Sequence, residues 1–187
     1  MKKLIVSAWI SLDGYICGPN GEFDWVLGDG QLAEYETNLI REVDTTLFGR
    51  KTYEGLSSYW TAAPTSPQTM DWEKAYAPMI NAAHHVVVSH GLATANWGKA
   101  TIWRDLDRKA VEGLKAGQGK SILIFGSTSI VQPLTQMGLI DEFQLLMHPV
   151  LLGGGRRLFE GQARTRLRTV SSEAFGSGIV KIVYAPA

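Results

Sequence analysis

The sequence predicts an α/β fold in three layers: a mixed, mostly parallel central sheet, helices on both faces, and antiparallel strands towards the carboxyl terminus. Three observations carry this. Val86-Val87-Val88 and Ile122-Leu123-Ile124 are unbroken apolar runs, the mark of strands buried on both faces. Stretches of helical period alternate with such runs as far as Met137, and from Asp141 onward the pattern is strand alone. A chain of 187 residues is expected to form one domain, 1–187, burying roughly two-thirds of its unfolded surface.

Residues 3–9 read as the first buried strand. Met1-Lys2-Lys3 has the charge of a leader, but the apolar run after it ends near Ile10, so a strand is expected rather than a signal. Ser11 to Gly21 then form a long turn-rich loop, carrying Asp13-Gly14 and Gly18-Pro19-Asn20-Gly21. Gly28-Asp29-Gly30 supplies a breaker and a helix cap, after which Leu32, Tyr35, Leu39, Ile40 and Val43 recur at helical spacing. Thr45 to Phe48 are β-formers, and residues 50–58 make a short helix. Tyr59 to Asp71, rich in Pro, Thr, Ser and Ala, reads as a surface loop or the wall of a cleft.

His85 to Gly91 reads as a strand ending in polar residues. Asp105 or Asp107 caps the next helix, with Leu106, Ala110, Val111 and Leu114 inward and a stop at Gly117. Ser121 to Phe125 is a buried strand that runs through Gly126-Ser127-Thr128 into a helix with Ile130, Val131, Leu134 and Met137 inward. The tail, Asp141 to Leu152, Arg166 to Ser172 and Gly178 to Tyr184, reads as strands joined by glycine-rich turns.

Composition narrows the function classes. An apolar fraction of 45%, a charged fraction of 19% and zero formal net charge describe a soluble globular protein, without the Lys/Arg excess of a nucleic-acid binder. No apolar run reaches the ~18 residues of a membrane span. The single cysteine, Cys17, excludes an internal disulfide and multi-cysteine metal sites, which fits a reducing cytoplasm. His84 and His85 read as exposed polar residues at a strand start, and no metal site is expected. Trp60, Trp72, Trp97 and Trp103 read as core or cleft-wall aromatics.

Chemistry concentrates where strands end. Leu47-Phe48-Gly49-Arg50-Lys51-Thr52-Tyr53 passes from strand to helix through a glycine and a cation. Free amides and the positive end of a helix dipole make an anion site there, to which Arg50 adds a guanidinium fork and Thr52 a hydroxyl. The same residues also suit a tight turn at Gly49 and a helix cap at Thr52. Ser89-His90 and Gly126-Ser127-Thr128 occupy two further strand ends, and ligands in open α/β sheets sit outside such ends. Together they suit an extended ligand with more than one phosphate, such as a dinucleotide. Neither a P-loop nor a Gly-x-Gly-x-x-Gly fingerprint is present.

The order of these segments resembles the dihydrofolate reductase superfamily, most closely the branch holding the reductase domain of the bifunctional riboflavin-biosynthesis deaminase/reductase. The resemblance spans nearly the whole chain. It rests on Ser11 to Ile16, Leu47 to Tyr53, Val86 to His90, Phe125 to Thr128, Gly138 to Phe143, and His148-Pro149-Val150-Leu151-Leu152-Gly153-Gly154-Gly155. It implies a dihydrofolate reductase-like fold, a homodimer, and hydride transfer from NADPH to a small heterocyclic or carbonyl-like substrate. By the same resemblance Gly49, Arg50, Lys51 and Thr52 meet the pyrophosphate and adenosine side of NADPH, and Ser89 and His90 approach its 2′-phosphate. Gly126, Ser127 and Thr128 cradle the pyrophosphate, and Ala8 and Ile16 line the nicotinamide pocket. Trp25 closes the site over the substrate. Asp29 is the nearest candidate for the early helical carboxylate of dihydrofolate reductases, with Glu34, Glu36 and Asp24 competing. The position of their pterin-contacting threonine falls on Met147. Arg156, Arg157, Arg164, Arg166 and Arg168 form a local basic cluster that reads as a solvated face rather than a nucleic-acid surface, and that is also able to meet a substrate phosphate.

Overall fold

The computed structural model describes residues 1–187. Ten strands and five helices follow one another as β1 (Leu4–Ser11), β2 (Tyr15–Cys17), α1 (Gly30–Arg41), β3 (Val43–Gly49), α2 (Arg50–Ala62), α3 (Asp71–Ala82), β4 (His84–Val88), β5 (Lys99–Trp103), α4 (Arg108–Ala116), β6 (Ser121–Phe125), α5 (Thr128–Gln136), β7 (Glu142–His148), β8 (Arg156–Arg157), β9 (Leu167–Ala174) and β10 (Val180–Pro186). The main sheet has the order β5-β4-β3-β6-β1-β7-β10-β9, while β2 and β8 form a small separate ribbon. From β5 to β7 every pair is parallel, and β10 and β9 add antiparallel strands at one edge. The expected three layers are present.

The two faces of β1 assign the layers. Leu4, Val6, Ala8 and Ile10 cluster with Val111 of α4 and Ile130, Val131 and Leu134 of α5. Ile5, one residue out of phase, clusters with Leu39 and Ile40 of α1, Tyr53 of α2, and Tyr76, Ala77 and Ile80 of α3. Successive strand side chains point to opposite faces, so the α1 side also receives Ser7 and Trp9. Across the α1 side of β7 lie Gln144, Leu146 and His148, which pair with Ser7, Trp9 and Ser11. Met147 pairs with Ile10 and packs on the α4–α5 side, so it is not the strand residue facing α1.

Several boundaries depart from expectation for identifiable reasons. α2 continues to Ala62, because Trp60 buries against Tyr76 with ring centroids 4.6 Å apart. Beyond it comes α3, unmarked by a conventional cap residue: Met70 N donates to Glu73 Oε2 at 2.9 Å, while Tyr59 donates its hydroxyl to the other oxygen. β5 has no fully buried residue and lacks the apolar run that marks its neighbours. His85 is fully buried rather than exposed. Its ring stacks on Trp97 at 4.0 Å, Thr46 Oγ1 lies 2.7 Å from Nδ1, and burial lowers its pKa to about 4, so it serves the core as a neutral aromatic. Trp60 and Trp97 are buried, as a core reading requires.

Candidate active site

The carboxyl ends of β3 and β6 lie side by side, and each opens into a helix. Gly49 N donates to Ser127 Oγ at 3.1 Å, tying the two junctions together. Gly49 has an ordinary extended backbone, φ −79° and ψ 158°. Space, rather than a tight turn, requires the glycine: a Cβ there would stand 2.6 Å from Ser129 Oγ and 2.7 Å from Ser127 Oγ. With Ser127 turned towards Gly49, neither α2 nor α5 has a side-chain cap. By contrast α1 and α4 are capped by Asp29 and Asp107, whose carboxylates accept from Leu32 N and Ala110 N. The two uncapped amide clusters therefore face outward together in the middle of the sheet, a cradle for a phosphate chain.

Around this cradle the sequence-derived residues assemble unevenly. Arg50 and Lys51 are exposed and Thr52 half-buried in the first turn of α2. Arg50 Nε donates to Glu54 at 2.8 Å, and its Nη1 lies 3.3 Å from where a Cβ of Gly91 would be. Ser89 is buried and shapes the loop, accepting from Leu92 N at 3.0 Å, whereas His90 is exposed. Arg104, absent from the sequence-derived set, holds this loop by donating through Nη1 to the carbonyls of Ser89, His90 and Leu92. It follows β5, a strand without the apolar run that would mark its end in the sequence.

Between β1 and β6 the sheet splits. The strands pair only as far as Ser7 with Phe125, then Gly126 N donates to Ser7 O, and from Ala8 onward β1 pairs with β7 alone. Gly126 turns the chain away with φ +43°, a left-handed conformation that favours glycine. Ala8 borders the split, with its Cβ 3.7 Å from where a Cβ of Gly126 would stand. Ile16 of β2 is buried in the same apolar cluster as Ala8. On the α1 side, Trp9 is the one residue of β1 that is not fully buried, and Phe125 at the end of β6 is likewise half-buried. Both rings lie on the α1 side of the sheet, next to the split.

Asp13 is more than a turn residue. Its carboxylate accepts from Ser11 Oγ at 2.6 Å, Leu152 N at 3.1 Å and Gly153 N at 2.8 Å, stapling the loop after β1 to the glycine run. The Ser11 hydroxyl and then these amides bring its pKa down to about 2. Arg157 reinforces the staple, with Nη2 donating to the Tyr15 hydroxyl at 3.0 Å and the guanidinium 4.6 Å from the Tyr15 ring centre. One member of the basic cluster thus has a structural partner.

The structure divides the carboxylates by role. Asp29 caps α1, accepting from Leu32 N at 2.6 Å and Ser177 N at 3.1 Å. The Ser177 hydroxyl beside it, outside strict hydrogen-bond geometry, and the Leu32 and Ser177 amides hold its carboxyl below the usual range, so it is ionised. Glu36, two turns along α1, is 6% exposed and accepts from Trp9 Nε1 at 3.1 Å. Burial pushes its pKa up to about 7, the Trp9 bond offsetting only part of the rise. The position of Glu36 among the buried residues of α1 was visible as a polar break in an apolar stripe, but its partner on β1 was not. Trp25 is half-buried and meets His148 edge-on, with ring centroids 5.2 Å apart.

A shallow groove of about 500 Å³ opens at the opposite, amino-terminal end of the strands. Lys3, Glu142 and Lys181 rim it, and neither α2 nor α5 contributes to its lining. No helix is long and apolar enough to cross a membrane.

Comparison with known proteins agrees with this geometry. The chain is 32% identical to the uncharacterized protein YyaP of Bacillus subtilis (strain 168), over 98% of this chain and 94% of that protein. A Shewanella sp. PV-4 protein assigned by name to riboflavin biosynthesis superposes with a TM-score of 0.76 at 22% identity, covering 99% of both chains. Dihydrofolate reductase from Enterococcus faecalis, solved with NADP(H), superposes with a TM-score of 0.63 at 13% identity, covering 98% of this chain and 96% of that one. The fold is thus dihydrofolate reductase-like. The RibD C-terminal domain model matches residues 2–181, and the chain belongs to that family.

Proposed function

We propose that the protein is an NADPH-dependent reductase acting on a small heterocyclic or carbonyl-like substrate, with residues 1–187 working as one domain. The observation that carries this is the pair of uncapped helix amino termini, α2 and α5, bound to each other through Gly49 and Ser127 at the carboxyl edge of the sheet. Their free amides, with Arg50, Lys51, Thr52 and Thr128, suit the pyrophosphate. The loop of Ser89 and His90, held by Arg104 beside Arg50, suits the phosphorylated ribose. The split at Ala8 and Gly126, with Ile16 behind it, suits the nicotinamide. NADPH would supply the hydride.

The chain's own residues supply position and a proton. Asp29 is ionised and occupied in capping, so the acid role passes to Glu36, whose pKa near neutrality lets it give up a proton and regain it from solvent. Its indole partner, Trp9, is half-buried and follows Ala8 at the split. Trp25, half-buried against His148, would close over the bound substrate and exclude water. Membership of the RibD C-terminal domain family makes 5-amino-6-(5-phosphoribosylamino)uracil the first acceptor to test. A homodimer in the cytoplasm completes the proposal. It is supported by β9, a sheet-edge strand exposed along its length with Leu167 and Val170 outward, and sedimentation at micromolar concentration checks it.

The deciding experiment is an NADPH titration of the wild type and of Arg50→Ala. Loss of the charge-assisted phosphate contact should weaken binding by about 1.5–3 kcal/mol while leaving the melting temperature nearly unchanged. An unaltered affinity removes Arg50 from the site, and absence of micromolar binding by the wild type sinks the reductase reading.

A further inference from the structure

His148 ends β7 on the α1 side of the sheet, and its residue is 0% exposed. Each of its ring nitrogens has a different fate. Nδ1 accepts from Leu27 N at 3.2 Å, so in the neutral ring the proton resides on Nε2. Burial lowers the pKa of this histidine and favours the neutral form. Nε2–H is then a donor with neither a protein partner nor solvent. Such a donor, shut away from water, is costly unless something accepts from it. The ring lies edge-on to Trp25 at 5.2 Å and to Trp9 at 6.4 Å, two half-buried indoles on the α1 side of the sheet. Trp9 in turn donates to Glu36.

We propose that His148 recognises the acceptor substrate: Nε2–H donates to a carbonyl oxygen or imine nitrogen of a ring lodged against Trp9 and Trp25, while Nδ1 latches the covering segment through Leu27. The proposal rests on the reductase reading and deepens it. One imidazole thereby couples closure of the Trp25–Leu27 segment to the tautomer that presents the donor. A charged imidazolium would donate from both nitrogens and lose the Leu27 latch. The device orients the ring, and proton supply stays with Glu36.

Two substitutions separate the nitrogens. His148→Asn places an acceptor near Nδ1 and deletes the Nε2 donor, whereas His148→Gln extends an amide donor near Nε2 and deletes the latch. With lumazine, a planar ring bearing two carbonyls, as probe and calorimetry as readout, His148→Asn should lose about tenfold or more in affinity and His148→Gln should retain most of it. NADPH affinity should be the same in both variants and the wild type, and the melting temperature should drop more in His148→Gln. Equal lumazine affinity in wild type and His148→Asn assigns Nε2 to a buried water and overturns the proposal, as does failure of NADPH-loaded wild type to bind lumazine at millimolar levels. Should a variant not fold, nitrogen-15 spectra of the wild-type histidines decide: lumazine must shift the Nε2 resonance of His148, and an unmoved resonance overturns the assignment. Absence of NADPH binding by the wild type is the separate signature of a failed reductase reading.

Discussion

Glu36 meets the core with one indole partner, and burial pushes its pKa up to about 7 from an ordinary 4.5. Between those values the folded state binds the proton more tightly than the unfolded chain, so the contribution of Glu36 to stability is intact in acid and lost as pH rises through 7. Glu36→Gln removes that penalty, and at pH 8 the variant should exceed wild type in unfolding free energy by on the order of 1–3 kcal/mol. Urea titrations at several pH values test this through the difference between the two proteins; a difference independent of pH between 5 and 8 contradicts it. The same variant should reduce hydride transfer to the acceptor while NADPH binding holds. His85 has the opposite slope: burial lowers its pKa to about 4, so its contribution is present above 6.5 and lost as pH falls through 4. Comparing variant with wild type isolates Glu36 from this second titration.

At the scale of elements, the junctions β3–α2 and β6–α5 behave as one unit because Gly49 donates to Ser127. Gly49→Ala would place a methyl group within 2.7 Å of the Ser127 hydroxyl, which would have to rotate away and release the Gly49 amide. Overpacking together with the lost bond should cost about 1–3 kcal/mol, and the displaced amides should weaken NADPH as well. Thermal melts and an NADPH titration on the same preparation check both effects, and a variant that melts like wild type would show that the serines yield freely. The glycine was legible in the sequence as part of a strand–glycine–helix junction. Its reason was not, because the hydroxyls that crowd it lie 78 and 80 positions away in the chain.

Over the whole molecule, the candidate site depends on β1 lying between β6 and β7 and parting from β6 after Ser7. A ligand gripping both α2 and α5 spans β3 and β6 beside that split and binds the folded state alone, so it should stabilise by mass action. At a hundred times its dissociation constant NADPH should add about 2.7 kcal/mol, a rise of roughly 5–10 °C in melting temperature. Differential scanning calorimetry with NADPH, and with NADH as the control lacking the 2′-phosphate, measures it; equal shifts for the two cofactors would remove the loop of Ser89, His90 and Arg104 from recognition.

The sequence by itself determined the layers, the buried central strands and the two strand–glycine–helix junctions, because each is written in local periodicity and turn chemistry. α3 and β5 lay beyond that reach: α3 starts without a conventional cap residue and contains Pro78, and β5 alternates too weakly to register. Only the tertiary structure decided which residues stand together at the site. Glu36 acquires its raised pKa from burial against a strand 27 positions away, and His148 its orphan donor from a loop 121 positions away. Arg50 and Gly49 announced their chemistry locally because a helix end makes its own field. A buried carboxyl or imidazole has no such local signature, since its charge state is set by whatever the fold packs around it.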